Sequence, residues 1–245
     1  MYQALGAVPP DYLAQPIYGT GGRPSFTPQM AYIHPRVTGD GVRYFEWIGA
    51  ARYTADQRSG AMHGKTFLLD AVYAGIDDTN VYGRLDFLEK LPDSDFELVV
   101  NLESWTRSEH RARASLRLEA IVKQRKICSW QISSGQNERA VAASGDAGEA
   151  MPIAVTTSST VTPAIPPAKV ALIRNFEFRV PLNALQISKA AVQVSPYIKE
   201  DAVKPNKIKL RFSLWQNRLP VDALPLEGWI DLDVVSDEEL RTGVY

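Results

Sequence analysis

Two tryptophans stand where a strand would present polar side chains. Trp215 keeps the alternation of Lys207, Lys209 and Arg211, and Trp229 keeps that of Asp231 and Asp233. A pyranose can lay its apolar face on such an indole, while planar polar groups nearby bind its hydroxyls in pairs, so the chemistry suggested is carbohydrate recognition. The competing account at this level is that a neighbouring loop or the N-terminal residues cover both rings.

A second group lies in residues 42–86. Read as a strand, 43–48 puts Tyr44, Glu46 and Ile48 on one side and Phe45 and Trp47 on the other. Glu46 then serves either as a hydroxyl acceptor or as the ion-pair partner of Arg84, which shares a face with Tyr82 and Asp86. His63, between Gly60 and Gly64, faces a sugar or hydrogen-bonds its own backbone. Glycoside hydrolysis needs two opposed carboxylates, and nothing singles out a pair among Glu46, Asp86 and Glu103. Gly-x-Ser-x-Gly, Gly-Lys-Ser/Thr and Gly-x-Gly-x-x-Gly motifs are absent. The chain is expected to act without catalysis and without a cofactor.

Strands must position these residues. Period-2 alternation between turn-forming clusters predicts them at 43–49, 67–76, 81–88, 96–102, 113–122, 127–133, 170–180, 207–215 and 228–235. The clearest local signal is a hairpin around Asp77-Asp78-Thr79-Asn80. Leu116, Leu118 and Ala120 oppose Arg117 and Glu119; Phe176, Phe178 and Val180 oppose Glu177 and Arg179; Ile208, Leu210, Phe212 and Leu214 oppose Lys207, Lys209, Arg211 and Ser213. One dry and one wet face per strand is the requirement of an antiparallel β-sandwich, so the expected class is all-β with few short helices. Cys128, Trp130 and Ile132 share a face and are expected in the core. Residues 1–40, rich in Pro and Gly, are expected to form a surface arm, 41–245 a single sandwich domain, and 135–168 a long loop within it.

Composition sets limits. The chain has 245 residues, 45% of them hydrophobic, enough for one large core. With 27 basic and 28 acidic residues and a net charge of -1, it lacks the basic excess of a generic nucleic-acid binder. One cysteine excludes an internal disulfide and a cysteine-based zinc cluster. No secretory signal and no apolar run of about 18 residues is present, so no membrane partner is expected and the expected compartment is the cytoplasm.

The segments Tyr44-Phe45-Glu46-Trp47-Ile48-Gly49-Ala50, Gly60-Ala61-Met62-His63 and the 72–86 hairpin occur in the order found in the C-terminal region of bacterial family 57 glycoside hydrolases, which they resemble. Residues 2–17 are similar to the segment through which those hydrolases enter that region, so Met1 is expected to be an artificial start. The resemblance implies an immunoglobulin-like sugar-binding sandwich of the family 9 and glucodextranase C-terminal type. It implies a polysaccharide or oligosaccharide partner, an α-glucan favoured, and attachment to a catalytic domain that these 245 residues do not include. Trp47, Glu46, His63, Arg84, Trp215 and Trp229 are the candidate contacts. The alternative is an interdomain module that packs on the parent hydrolase with no glycan site of its own. Related modules often carry calcium, for which Asp77–Asn80, Asp231 and Asp233 offer oxygens, but turn formation accounts for the first cluster and no EF-hand spacing occurs, so no metal is expected.

Overall fold

The computed structural model describes residues 25–41, 43–54, 67–88, 90–106, 112–134, 168–187 and 206–243. Its strands are β1 (Ser25–Thr27), β2 (Ala51–Thr54), β3 (Leu69–Ile76), β4 (Asn80–Phe87), β5 (Phe96–Trp105), β6 (Ala112–Lys123), β7 (Lys126–Ser134), β8 (Lys169–Leu172), β9 (Phe176–Pro181), β10 (Asn206–Gln216), β11 (Leu219–Leu224) and β12 (Ile230–Val234). They form two antiparallel sheets. The first runs β1-β2-β3-β4-β9-β8; the second runs β11-β10-β5-β6-β7, with β12 also paired to β10. The chain is an all-β antiparallel sandwich.

The alternation explains the interior. Leu116, Leu118, Ala120, Ile208, Leu210, Phe212 and Leu214 are buried from the second sheet, and Phe176, Phe178 and Val180 from the first. Phe178 and Phe212 meet between the sheets with ring centroids 5.9 Å apart. Each such side chain contributes about 1.5–3 kcal/mol through apolar area removed from water. Gly83 makes room for this packing, because a Cβ there would stand 2.2 Å from Phe178 Cε1.

The outer face of the first sheet is also dry, against expectation. Residues 28–41 and 43–50 roof it, and Ile33, Val37, Trp47 and Ala50 pack on Ala71, Tyr73 and Tyr82. The roof is tied down by hydrogen bonds to backbone. Gln29 Oε1 accepts from Ile76 N at 3.1 Å while its Nε2 donates to Ile76 O at 3.1 Å, a side chain completing a strand pairing. Glu177, expected on a wet face, is buried and accepts from Thr38 N at 2.9 Å and Gly39 N at 2.8 Å. Gly39 O in turn accepts from the backbone N–H groups of Ile173, Arg174 and Asn175, in the turn that divides the expected 170–180 strand into β8 and β9. Asp77 closes the β3–β4 hairpin. Its Oδ1 accepts from Thr79 N and Asn80 N, both at 2.6 Å, and its Oδ2 from the Tyr82 hydroxyl at 2.7 Å.

Other expectations also need correction. The expected strand at 43–49 is a 3-10 helix over Tyr44–Trp47, because Glu46 N and Ile48 N turn back to Arg43 O and Phe45 O and Gly49 takes a φ of 91°. Cys128 and Trp130 are exposed, Trp130 by 42%. Trp130 does pair with Ala120 on the inner side of the sheet, but β7 is an edge strand with one neighbour. At Cys128 the register slips, since Ile121 pairs with Ser129 and Val122 with Ile127, and the extra residue is left without a partner position. The expected loop at 135–168 lies outside the described residues, apart from Ala168.

Candidate functional site

The outer face of the second sheet has no roof among the described residues, and it gathers three tryptophans. Strand β10 carries it, lying between β5 and the edge strands β11 and β12. The pairing with β5 sets Lys207 opposite Trp105, Lys209 opposite Glu103, Arg211 opposite Asn101 and Trp215 opposite Glu97. On the other edge, Lys207 and Lys209 pair with Asp233 and Asp231. Trp229 directly precedes Ile230, the partner of Leu210, and so stands level with Arg211. Trp105, Trp229 and Trp215 are thus level with positions 207, 211 and 215 of one strand. Along the strand direction, at ~3.4 Å per residue, they are spaced by ~14 Å and span ~27 Å, with Trp105 and Trp229 also ~10 Å apart across the sheet on either side of β10.

Local hydrogen bonds hold two of these rings. Trp105 Nε1 donates to Glu103 Oε2 at 2.9 Å, and Trp215 Nε1 donates to Ser213 Oγ at 3.0 Å. Both bonds join residues two apart, which share a face in a strand. Trp229 is 36% exposed and Trp215 is half-buried. The Lys209 ammonium lies 4.3 Å from the Trp105 ring centroid, so it guards that ring. Lys207 Nζ sits between Asp231 Oδ2 at 3.7 Å and Asp233 Oδ1 at 3.5 Å. Further along the face, hydrogen bonds from Gln131 and Arg117 hold the Glu119 carboxyl below its ordinary pKa. The face therefore offers indole surface interleaved with charged acceptors and donors, the combination needed to stack a sugar ring and bind its hydroxyls.

The other sequence candidates do not join this face. Trp47 is 3% exposed, locked under the roof against Tyr73 with centroids 6.5 Å apart, and presents no ring to a ligand. Glu46 accepts from Arg36 N at 2.6 Å and Arg43 Nη1 at 3.1 Å, so it braces the roof and does not pair with Arg84. Burial pushes its carboxyl pKa up, but the bonds from Arg36 and Arg43 outweigh this and leave it lowered. Arg84 is buried in the first sheet, where Nε donates to Asp86 Oδ1 at 2.6 Å and Nη2 to Asp86 Oδ2 at 3.1 Å. His63 lies outside the described residues. Trp105 was missed because the strand was ended at residue 102; the signal that finds it is the continued alternation Asn101, Glu103, Trp105. Among the described residues no cluster of three or more His, Cys, Asp or Glu side chains could hold a metal ion, and no helix is long and apolar enough to cross a membrane.

Comparison of the chain with family models, with curated proteins and with solved structures finds no match in any of the three.

Proposed function

We propose that the chain is a non-catalytic carbohydrate-binding module that lays a glycan along the outer face of the second sheet. The observation that carries this reading is the row of Trp105, Trp229 and Trp215 on a charged, solvated face. A sandwich buries one face of each sheet for stability, and indoles on the remaining face add nothing to that core. An extended row suits a polymer better than a single sugar. The resemblance of the 44–50, 60–63 and 72–86 segments to family 57 glycoside hydrolases favours an α-glucan, held near the catalytic domain of a parent enzyme. Native electrophoresis through gels containing amylose, glycogen, pullulan, xylan or β-glucan tests this. Retardation by one polymer, abolished in Trp215→Ala and Trp229→Ala while both variants still melt cooperatively, is expected. Equal mobility of wild type and both variants in every gel would overturn it.

A packing role has one observation in its favour. Met30, Tyr44, Phe45 and Ile48, on the roof of the other sheet, are exposed by 60%, 50%, 80% and 63%. Backbone bonding of Met30 N to Gly49 O brings Met30 to the same turn as the aromatic pair. Apolar side chains grouped in this way fit an interface with the parent enzyme. Under that reading Phe45→Ser weakens docking to the parent's remaining domains and leaves glycan retention alone.

A further inference from the structure

A polar cleft lies at one end of the first sheet. A cleft of about 530 Å³ is walled by Asp70, Arg84, Asp86 and Asn175 within and by Lys90, Arg125 and Arg174 among its other lining residues, with Phe87, Leu91 and Ile173 as apolar flank. The strands explain why polar groups converge there. Asp70 is the extra residue of a bulge, since Leu69 pairs with Phe87 and Ala71 with Asp86, and a bulge re-aims the side chain it inserts. Asp86 receives the fork of Arg84 and the amide of Asn175.

Arg84 is 5% exposed, stacked 5.4 Å from the Tyr73 ring centroid, and its Nη1 is buried with no hydrogen-bond partner. A guanidinium donor without an acceptor is costly in a folded protein, and Arg84 belongs to the cleft wall, where a small shift of the side chain would offer that donor to a ligand oxygen. Charge adds a second reason. Four cations line the cleft against two carboxylates, and although Arg125 also meets Asp93, neither Lys90 nor Arg174 has an ion-pair partner among the described residues. Burial, and after it the nearby Asp86, push the Asp70 carboxyl above its ordinary pKa. A site for a metal cation would have the opposite balance.

We propose that this cleft binds a small hydroxylated anion, a sugar phosphate or a sugar acid. Its anionic group lies toward Lys90, Arg174 and Arg84, its hydroxyls donate to Asp70 and Asp86, and its ring packs by Phe87 and Leu91. The proposal does not depend on the glycan face of the second sheet. Calorimetric titration of the full chain with glucose 1-phosphate, glucuronate, glucose and inorganic phosphate tests it. One of the two sugar anions binds, with glucose and inorganic phosphate at least tenfold weaker; which one binds separates the phosphorylated from the carboxylated source. Lys90→Ala with Arg174→Ala, both on exposed side chains, lowers the affinity at least tenfold, and Asp70→Asn lowers it while Trp229→Ala does not. Arg84→Lys, which keeps the charge and loses the fork, weakens binding in a chain that still melts cooperatively. Inorganic phosphate binding as well as the sugar phosphate, or no heat from either sugar anion at millimolar concentration, overturns the proposal.

Discussion

The two sheets carry the same alternation and end in opposite states on their outer faces. On β9 the polar positions hold Glu177, on β10 they hold Lys207, Lys209 and Arg211; Glu177 is 2% exposed and the β10 residues keep access to water. The difference, among the described residues, is the segments 28–41 and 43–50, which pack over the first sheet. A carboxylate under that roof must be satisfied by fixed donors, and Glu177 takes two backbone N–H groups. A charge on the open face is satisfied by water, so its neighbours there add little to stability. The lesson is that a polar position in a strand does not say whether it serves the fold or a ligand. Only the layer above it does.

The largest break in this comparison comes from exchanging one tryptophan on each side. Trp47→Ala should destabilise the chain by about 3–5 kcal/mol, the range for emptying a buried aromatic site. Trp229→Ala, at a residue 36% exposed, should cost clearly less, about 1–2 kcal/mol for the part of the ring that is covered. Urea unfolding followed by circular dichroism measures both. Equal losses would mean that the second face is roofed as well.

The carboxylates give the next largest effect. Glu177→Ala leaves the Thr38 and Gly39 N–H groups without their acceptor and should cost about 3 kcal/mol, since each orphaned buried donor costs ~1–3 kcal/mol and water recovers part. Arg117→Ala, on the open face, should fall within ~0.5 kcal/mol of wild type by the same unfolding assay. A Glu177→Ala chain as stable as wild type would show that the roof is held by its apolar contacts alone.

Much of the second sheet was legible because each strand has one neighbouring layer, so period-2 alternation maps directly onto burial. Leu116, Leu118 and Ala120 on β6 and Ile208 to Leu214 on β10 fell where the pattern put them, as did the Asp77–Asn80 turn. The roof was not legible, because an irregular segment has no period, and without it Glu177 reads as a surface residue. Trp47 was misjudged for the same reason, its alternation with Phe45 belonging to one 3-10 turn. β11 was missed because its hairpin turns at Asn217 and Arg218, both with positive φ, where no glycine announces the mirror-image turn. Of the open face, Trp215 and Trp229 were legible from register, whereas Trp105 was lost with the end of β5.

Acidity should separate two aspartates at opposite ends of one strand, Asp70 near the start of β3 and Asp77 in the turn that follows it. Burial pushes the Asp77 carboxyl up, but hydrogen bonds from Tyr82, Thr79 and Asn80 outweigh it, so its folded pKa lies below the ordinary value. A lowered folded pKa adds stability that is complete above the unfolded value of about 3.9 and is lost as pH falls through the folded one. Asp70 is shifted upward, by burial first and Asp86 second, so its ionisation opposes folding as pH rises above about 3.9. Asp77→Asn should therefore lower stability at pH 7 and flatten the acid limb of the stability curve, while Asp70→Asn should raise stability at pH 7. Melting temperatures from pH 2 to 7 decide this; the same sign for both variants at pH 7 would refute the assignment.

The smallest expected effect sharpens the account of the open face. Lys209 lies over the Trp105 ring, and an exposed cation–π contact contributes about 0.5–1 kcal/mol. Lys209→Ala should lower stability by roughly that amount, since the pair is near water and Glu103 still fixes the indole through its Nε1. The same change uncovers the face of the ring on which a pyranose would lie. If Trp105 is a stacking surface, glycan retention in affinity electrophoresis therefore rises in Lys209→Ala even as the chain becomes slightly less stable. Retention that falls would identify the ammonium, a donor to sugar hydroxyls, as the contact, and would leave Trp105 as its support; the stacking row would then shorten to Trp229 and Trp215.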